Sequence, residues 1–404
     1  MNGNKPENKT NKYTFHKTVR GHLHELREIP CEDYSDSFSE ENGRYHIAIV
    51  ADGHGAAECF RSEVGSKIAT EVAMNCLKEF AETVLVSQME YEAFYINITS
   101  NPRYQKTTIR RLTDTIVAAW HDSILEHYGK NPPTAEELGD YADKYKDEAN
   151  ISHIYGTTLM AALQFADCLL LLHQGDGRCD VFYANGTVEQ PIPWDERCED
   201  TAVTSMCDKD VADSIRSHVI DLKEKDKEVI ACYLGCDGVE DAYRDTYENL
   251  GGTHARMGGV HTFYKDLTCK IATLKTEEFE NYAESMFSEF SAVGRFSHSG
   301  SGDDISVAGI VDKTAILQLV DRFEVDVKQY DLEEKLFWKE EELRGKLRKH
   351  EILKKRMEAA NQQSYEAAKI AFEEYDARCQ EIRREAQEIS EVLAGLRQSK
   401  AEQK

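Results

Sequence analysis

Two hydrophobic rhythms divide this chain. Up to about residue 312, short runs of aliphatic, β-branched and aromatic residues alternate with amphipathic helical stretches; beyond it one helical rhythm continues to the end. The short runs are Tyr45–Ala51, Thr157–Phe165, Cys168–His173, Cys179–Tyr183, Val229–Gly235 and Ile305–Val311, whose length and composition predict strands. Helices are predicted over Glu58–Phe80 and Thr107–Tyr128. The close succession of strands from Thr157 to Tyr183 favours antiparallel pairing, and long helices must then cover the outer faces of the sheets. The predicted fold is α+β, a four-layer α-β-β-α sandwich of two mainly antiparallel sheets. Residues 130–152, with Asn131-Pro132-Pro133, and the polar stretch around Arg244–Val260 are expected to be exposed connections.

All seven prolines lie at or before Pro193, and beyond residue 312 the only glycines are Gly345 and Gly395, amid Glu, Lys, Arg, Ala and Leu. That is helix composition. From Tyr365 a 3,4 spacing of Ala368, Phe372, Tyr375, Cys379, Ile382, Ala386, Ile389, Val392 or Leu393, and Leu396 draws an apolar seam of the coiled-coil kind. Upstream, Leu336, Leu343, His350 and Met357 repeat every seven residues, one residue out of phase with that seam, and the break falls near Asn361–Ser364. One bent helix or an antiparallel helical hairpin would both produce it. The expected organisation is a disordered tail over 1–12, a globular domain over 13–312 and a coiled-coil-like helical appendage over 313–404. The appendage either packs on its own globular domain or serves self-association or partner docking.

Charge narrows the functions. The 404 residues carry 49 Lys and Arg against 74 Asp and Glu, a net charge of −25, which repels phosphate backbones and anionic bilayers. Neither nucleic acid nor membrane is an expected partner. The eleven cysteines lack paired C-x-x-C spacing, and the longest apolar run, Cys168 to Leu172, is too short to span a bilayer. With no apolar stretch between Met1 and Tyr13 to act as a leader, the expectation is a reducing cytoplasm.

The chemistry sits at strand ends. Asp52-Gly53-His54-Gly55, Gly175-Asp176-Gly177, Asp237-Gly238 and Gly302-Asp303-Asp304 each place a carboxylate beside glycine at the margin of a predicted strand, and Glu32-Asp33 adds an acidic pair. Glycine allows close backbone approach, and carboxylate and carbonyl oxygens suit hard cations such as Mg²⁺ or Mn²⁺ rather than zinc. Taken singly, each Asp-Gly is a common turn; an aspartate ending a run such as Ile47–Ala51, however, needs compensation for its desolvation.

These motifs resemble those of the type 2C protein phosphatases, the metal-dependent serine/threonine phosphatases, over roughly residues 16–312. Glu32-Asp33, Val50 through Gly55, Gly156-Thr157-Thr158-Leu159, Gly175 through Arg178, Cys236-Asp237-Gly238-Val239 and Gly300 through Ser306 stand in the family's order. The segment from His24 to Asp33 is similar to a bacterial branch in which a histidine precedes Cys-x-Asp. The resemblance implies two Mn²⁺ or Mg²⁺ ions, with Asp52 bridging them, the Gly53 carbonyl on one, Asp237 and Asp303 on the other, and Glu32 and Asp33 acting on the first directly or through water. Asp176 matches the aspartate for a third metal. Where the family carries a phosphate-gripping arginine four residues before the acidic pair, this chain has Glu28, so Arg27 or His24 is the expected phosphate contact. Asp304 stands where the family has asparagine, next to the retained Asp303.

The implied reaction is hydrolysis of phosphoserine or phosphothreonine in a protein by metal-activated water, with His54 as general acid toward the leaving alkoxide and no phosphoenzyme. A cognate serine/threonine kinase is an implied partner. No P-loop and no G-x-S-x-G elbow occurs, and Cys31 lacks the arginine that a cysteine phosphatase would need. Two alternatives stand beside this reading. One is an inactive phosphatase-like scaffold recruiting partners through its helices; the other is a nucleotide cyclase or other two-metal enzyme.

Overall fold

The computed structural model describes residues 11–198, 202–224, 227–243, 257–294, 300–362 and 364–402, in two compact units that divide after Val320. Among the described residues of the first unit, ten strands form two five-stranded antiparallel sheets. One sheet has the order β1 (Lys12–Val19), β10 (Ile305–Asp312), β9 (Val229–Gly235), β6 (Arg178–Tyr183) and β7 (Val188–Glu189). The other has the order β2 (Tyr34–Ser39), β3 (Tyr45–Ala51), β4 (Leu159–Phe165), β5 (Cys168–Gln174) and β8 (Arg216–Asp221).

The sheets stack through alternate residues. Ala48, Val50, Met160, Ala162, Leu169 and Leu171 from one face meet Cys179, Val181, Cys232, Leu234, Ala308 and Ile310 from the other in a single buried cluster. The opposite side chains of β3 and β4, Ile47, Ile49, Ala161 and Leu163, pack under the helices Ser62–Val84, Gln88–Ser100 and Pro102–Lys130. Those helices supply Leu77, Phe94 and Trp120 to the same core. On the far side the rings of Phe15 and Tyr233 meet Phe279 and Tyr264 of the helices Thr276–Val293 and Met257–Thr273. The result is the expected sandwich with helices on both outer faces.

All six predicted strands are present, but β5 and β6 do not pair with each other. The turn Gly175-Asp176-Gly177 carries the chain from one sheet to the other, so Asp176 sits where the two sheets meet. The connection after Lys130 is more structured than its composition suggests: short helical turns run through Tyr155, and Tyr145, Ile151, Ile154 and Tyr155 are buried. Of the N-terminal tail, residues 1–10 lie outside the described residues, and β1 already begins at Lys12. Residues 244–256 of the other predicted connection likewise lie outside them, and a helix starts at Met257.

The second unit is an antiparallel helical hairpin of Val320–Glu358 and Tyr365–Glu402. Lys339–Glu385, His350–Asp376, Arg397–Glu333 and Lys400–Asp326 bridge the helices in opposite running order. The seam lies on the covered side, with Cys379, Ile382 and Leu393 buried and Val392 exposed. Among the described residues no helix is long and apolar enough to cross a membrane.

One buried polar group bears on stability. His173 of β5 shares the inter-sheet face with Leu169 and Leu171, and neither ring nitrogen has a hydrogen-bond partner. Burial, with Arg216 and Arg178 nearby, holds its pKa well below the ordinary imidazole value. The unfolded chain therefore binds a proton at His173 that the folded chain rejects, and stability falls as pH drops below ~6.5, by up to about 2 kcal/mol at pH 5 from this residue. Urea midpoints at pH 7 and pH 5 should diverge less in His173→Leu than in the parent chain.

Candidate metal and phosphate site

The strand ends that carry acidic residues all open on one edge of the sandwich. Asp52 follows β3, Glu32 and Asp33 precede β2, Asp176 lies in the β5–β6 turn, Asp237 follows β9, and Asp303 and Asp304 precede β10. Antiparallel register puts these six ends side by side: Ala51 opposes Tyr34, Gln174 opposes Leu159, and Gly235 opposes both Val307 and Arg178. A cleft of about 610 Å³ opens there, lined by His24, Glu32, Asp52, Gly53, His54, Asp176, Asp237 and Asp303.

Backbone contacts fix the Asp52 loop. The Asp52 carbonyl accepts from the Thr158 N–H at 2.7 Å and the Thr157 hydroxyl at 2.9 Å, the Asp52 N–H donates to Thr158 Oγ1 at 2.9 Å, and the His54 N–H donates to the Gly156 carbonyl at 3.0 Å. This is the physical work of Gly156-Thr157-Thr158. A Cβ on Gly53 would lie 2.5 Å from the Glu32 carbonyl oxygen, and one on Gly238 would lie 2.1 Å from the Asp304 carbonyl oxygen. Those two positions require glycine because acidic loops from different strands touch through their backbones there.

Asp304 does not face the cleft. It is buried, and its two oxygens accept from four donors: the Gly21 N–H at 2.5 Å and His24 Nδ1 at 2.9 Å on one, the Glu32 N–H at 2.6 Å and Asp33 N–H at 3.3 Å on the other. An asparagine amide would present N–H groups to two of those donors, so a carboxylate fits this latch and asparagine does not. Held in this way, His24 directs Nε2 toward Glu32 and Asp303, 3.7 and 3.9 Å away. Arg27 is not brought to the cleft: it caps the short helix His22–Leu26, is exposed and is not among the residues lining the cleft. Arg178 serves the Asp176 turn, donating to the Asp176 carbonyl at 2.8 Å while pairing with Glu240 at 2.7 Å and stacking on Trp194.

Electrostatics shows what the cluster lacks. Burial raises Asp33, Asp52, Asp237, Asp176 and Asp303 above the ordinary carboxylate range, and their mutual repulsion adds to the rise in Asp33, Asp52 and Asp237. Burial also pushes Glu32 up to about 7. Asp33 Oδ2 is buried without a hydrogen-bond partner, and an Asp33 oxygen, an Asp52 oxygen and Cys236 Sγ lie within 4.8 Å of one another. Uncompensated carboxylates around an orphaned oxygen fit a hard divalent cation. The Cys236 sulfur is already engaged by the Ser306 N–H at 3.1 Å.

The family model for protein phosphatase 2C matches residues 20–269. The chain belongs to that family. No curated protein sequence matches it. Among solved structures it is similar to the serine/threonine phosphatase Stp1 from Staphylococcus aureus, at 15% identity and TM-score 0.43, over 77% of this chain and 99% of that one. It is also similar to the S. agalactiae serine/threonine phosphatase, at 16% identity and TM-score 0.40, over 74% and 99%. A third likeness is to RsbX in complex with magnesium, at 10% identity and TM-score 0.37, over 74% and 94%.

The phosphatase 2C cleft also has a wall that the motifs did not announce. Cys59, His153, Ser205, Cys207 and Asp208 line it, with His153 Nδ1 3.4 Å from Cys207 Sγ. His54 lies against this wall, and burial together with His153 lowers its pKa to about 4. No local pattern marks these residues, since only the fold brings them beside Asp52.

Because the clustered carboxylates have raised pKa values, the folded state holds protons that the unfolded chain gives up, and metal-free stability falls as pH rises through the carboxylate range. Thermal melts should show Asp52→Asn stabilising the metal-free protein at pH 7.5. Mn²⁺ should raise the melting temperature of the parent chain and barely move that of the variant.

Proposed function

We propose that the chain hydrolyses phosphoserine and phosphothreonine in proteins, using divalent cations held by Asp33, Asp52, the Gly53 carbonyl, Asp237 and Asp303. The observation that carries this reading is the convergence of four charge-frustrated aspartates, Asp52, Asp176, Asp237 and Asp303, on an open cleft, with an Asp33 oxygen within 4.8 Å of an Asp52 oxygen and Asp33 Oδ2 orphaned beneath them. Two bound Mn²⁺ or Mg²⁺ ions, with Asp176 at the place for a third, would supply charge neutralisation at the phosphoryl oxygens and a lowered pKa for the attacking water.

The chain's own residues divide the remaining work. Asp304 fixes the acidic pair and His24 together, so that a phosphoryl group above Asp52 meets the His24 ring where the family uses arginine. Thr157 and Thr158 keep Asp52 and the Gly53 carbonyl in register. His54 borders the cleft as a neutral imidazole at pH 7, because its pKa is about 4. Proton donation from an imidazolium is therefore confined to acid pH, and at neutral pH the ring offers one N–H hydrogen bond to the leaving oxygen. The cleft is open rather than enclosed, as a phosphorylated side chain on a protein requires.

The test is hydrolysis of a phosphothreonine peptide. Activity should require Mn²⁺ or Mg²⁺, vanish with chelator, and fall in Asp52→Asn by more than the ~10–100-fold typical of outer-shell changes around a metal. Absence of hydrolysis with every divalent cation would overturn the reading and favour the scaffold.

Two further outcomes follow from the geometry. His54→Gln should lower kcat at pH 7.5 by less than the ~10²–10⁴-fold expected for loss of a general acid; a larger drop would restore that role. Asp304→Asn should raise KM for the peptide and weaken inhibition by inorganic phosphate about as much as His24→Gln does. The double variant should be no worse than either single one, the non-additivity of two residues acting as a unit.

A further inference from the structure

One segment of the hairpin reverses the charge balance of the chain. Across Arg344–Arg356, the last third of the first helix and the part nearest the hairpin's turn, seven Lys and Arg stand against Glu351 alone, in a protein with 74 Asp and Glu and 49 Lys and Arg. In the stem the cations are satisfied across the hairpin, as Lys339 is by Glu385 and Arg397 by Glu333. Near the turn they are not. Arg344, Lys346 and Lys355 pair within their own helix, and Lys349 lies over the Tyr375 ring. Arg348, Lys354 and Arg356 are exposed and have no acidic partner among the described residues.

The distribution around the helix is not even. Lys346, His350, Leu353 and Met357 are the half-buried positions and face the second helix. At 100° per residue, Arg344, Arg348, Ile352 and Lys355 then occupy the opposite, solvent face together with Glu351, and Lys354 and Arg356 stand on its two opposite flanks. Ile352 is 53% exposed and Leu347 36%, so the basic face includes aliphatic surface.

We infer that this face docks an acidic polypeptide segment, such as an Asp/Glu-rich stretch of a phosphoprotein substrate. Thirteen helical residues span ~20 Å, which matches about six residues of extended peptide. Charge complementarity selects the class. A bilayer or duplex presents negative charge over a far larger area and meets repulsion from the acidic remainder of the chain. A short peptide stays within about one Debye length, ~8 Å at physiological salt, of the basic face. The exposed isoleucine and leucine suit a polypeptide and have no counterpart on a phosphate backbone. Docking here would raise the local concentration of an anionic substrate that the net charge of −25 otherwise repels. Calling the segment part of a substrate rests on the phosphatase reading; the binding itself does not.

The test is fluorescence anisotropy of a short, labelled, Asp/Glu-rich peptide without phosphate, titrated with the full chain. Binding should weaken as salt rises and fall at least ~10-fold in the triple variant R348E/K354E/R356E, as loss of complementary charge requires. The milder R348Q/K354Q/R356Q should fall between. Circular dichroism should show unchanged helicity in both, and hydrolysis of a small aromatic phosphate ester should match the parent chain. Equal peptide binding by parent and triple variant, or no binding by the parent, overturns the proposal. So does tip-dependent binding to phosphatidylserine vesicles or duplex DNA that is tighter than binding to the peptide. If the phosphatase reading fails instead, neither parent nor variant hydrolyses the ester, and the anisotropy result still stands.

Discussion

Five aspartates held together at the edge of a packed sandwich repel one another, and the structure around them is arranged to hold that repulsion in place. Desolvation and mutual charge push the group away from ionisation, yet Asp33 Oδ2 finds no donor inside the protein. A fold optimised for stability alone would place donors there, or apolar side chains. The restraint comes from backbone: Thr157 and Thr158 clamp the Asp52 loop, and glycines at 53 and 238 let neighbouring acidic loops touch. Each loop is anchored to a different strand, so none can retreat without breaking a ladder.

The latch at Asp304 shows how one substitution in a motif changes the job of its neighbours. A carboxylate there accepts from three backbone N–H groups and from His24 at once, which ties the start of the acidic pair to the loop before β10. Asparagine at that position could not accept on both sides, and arginine in place of His24 would have to reach the same pocket from a different backbone path. Glu28 occupies the arginine's position with φ 58, in a left-handed turn that ends the short helix and points its own side chain into solvent. His24 and the departure at Asp304 thus act together in building this edge of the cleft, and Glu28 closes the short helix beside them.

What could be read in the sequence follows from where each strand lies. The six predicted strands are β3, β4, β5, β6, β9 and β10, all interior to their sheets, flanked on both sides and hence written as continuous apolar runs. The four that were not predicted, β1, β2, β7 and β8, are the sheet edges. Segments such as Tyr34-Ser35-Asp36-Ser37-Phe38-Ser39 pair on one side only, so polar residues are tolerated and no apolar run announces them. Asp52, Asp176, Asp237 and Asp303 were legible because each borders an interior strand, whereas Glu32 and Asp33 precede the edge strand β2 and were read only as an acidic pair. The wall of Cys59, His153 and Cys207 was not, since it comes from loops whose only shared property is proximity to Asp52. His54 was legible as a site residue but not as a neutral one: its neutrality comes from burial against that wall, a tertiary effect absent from Gly-His-Gly.

The acidity of the whole chain poses a difficulty that the cluster alone cannot resolve. Bound divalent cations would neutralise the cleft floor, but the remaining surplus of acidic residues is spread over the surface and still opposes the approach of a phosphorylated, acidic protein. Field strength at distances beyond a Debye length is screened, so what governs capture is the local sign of the surface that first meets the ligand. On the hairpin that sign is positive over Arg344–Arg356, a stretch about three and a half turns long beyond its paired stem. Pairing in the stem uses cations against acids across the seam; toward the turn Asp376 is taken by His350 and Glu373 by Lys369 of its own helix, and Arg348, Lys354 and Arg356 are left outward. Lys355 and Arg356 in the last turn suit the carbonyl end of the helix, but Arg348, ten residues before that end, gains nothing from it and stands at i, i+4 from Arg344. A cation such as Arg348, beyond the reach of the helix end and without an acidic partner among the described residues, is better explained by what it meets than by what it holds together.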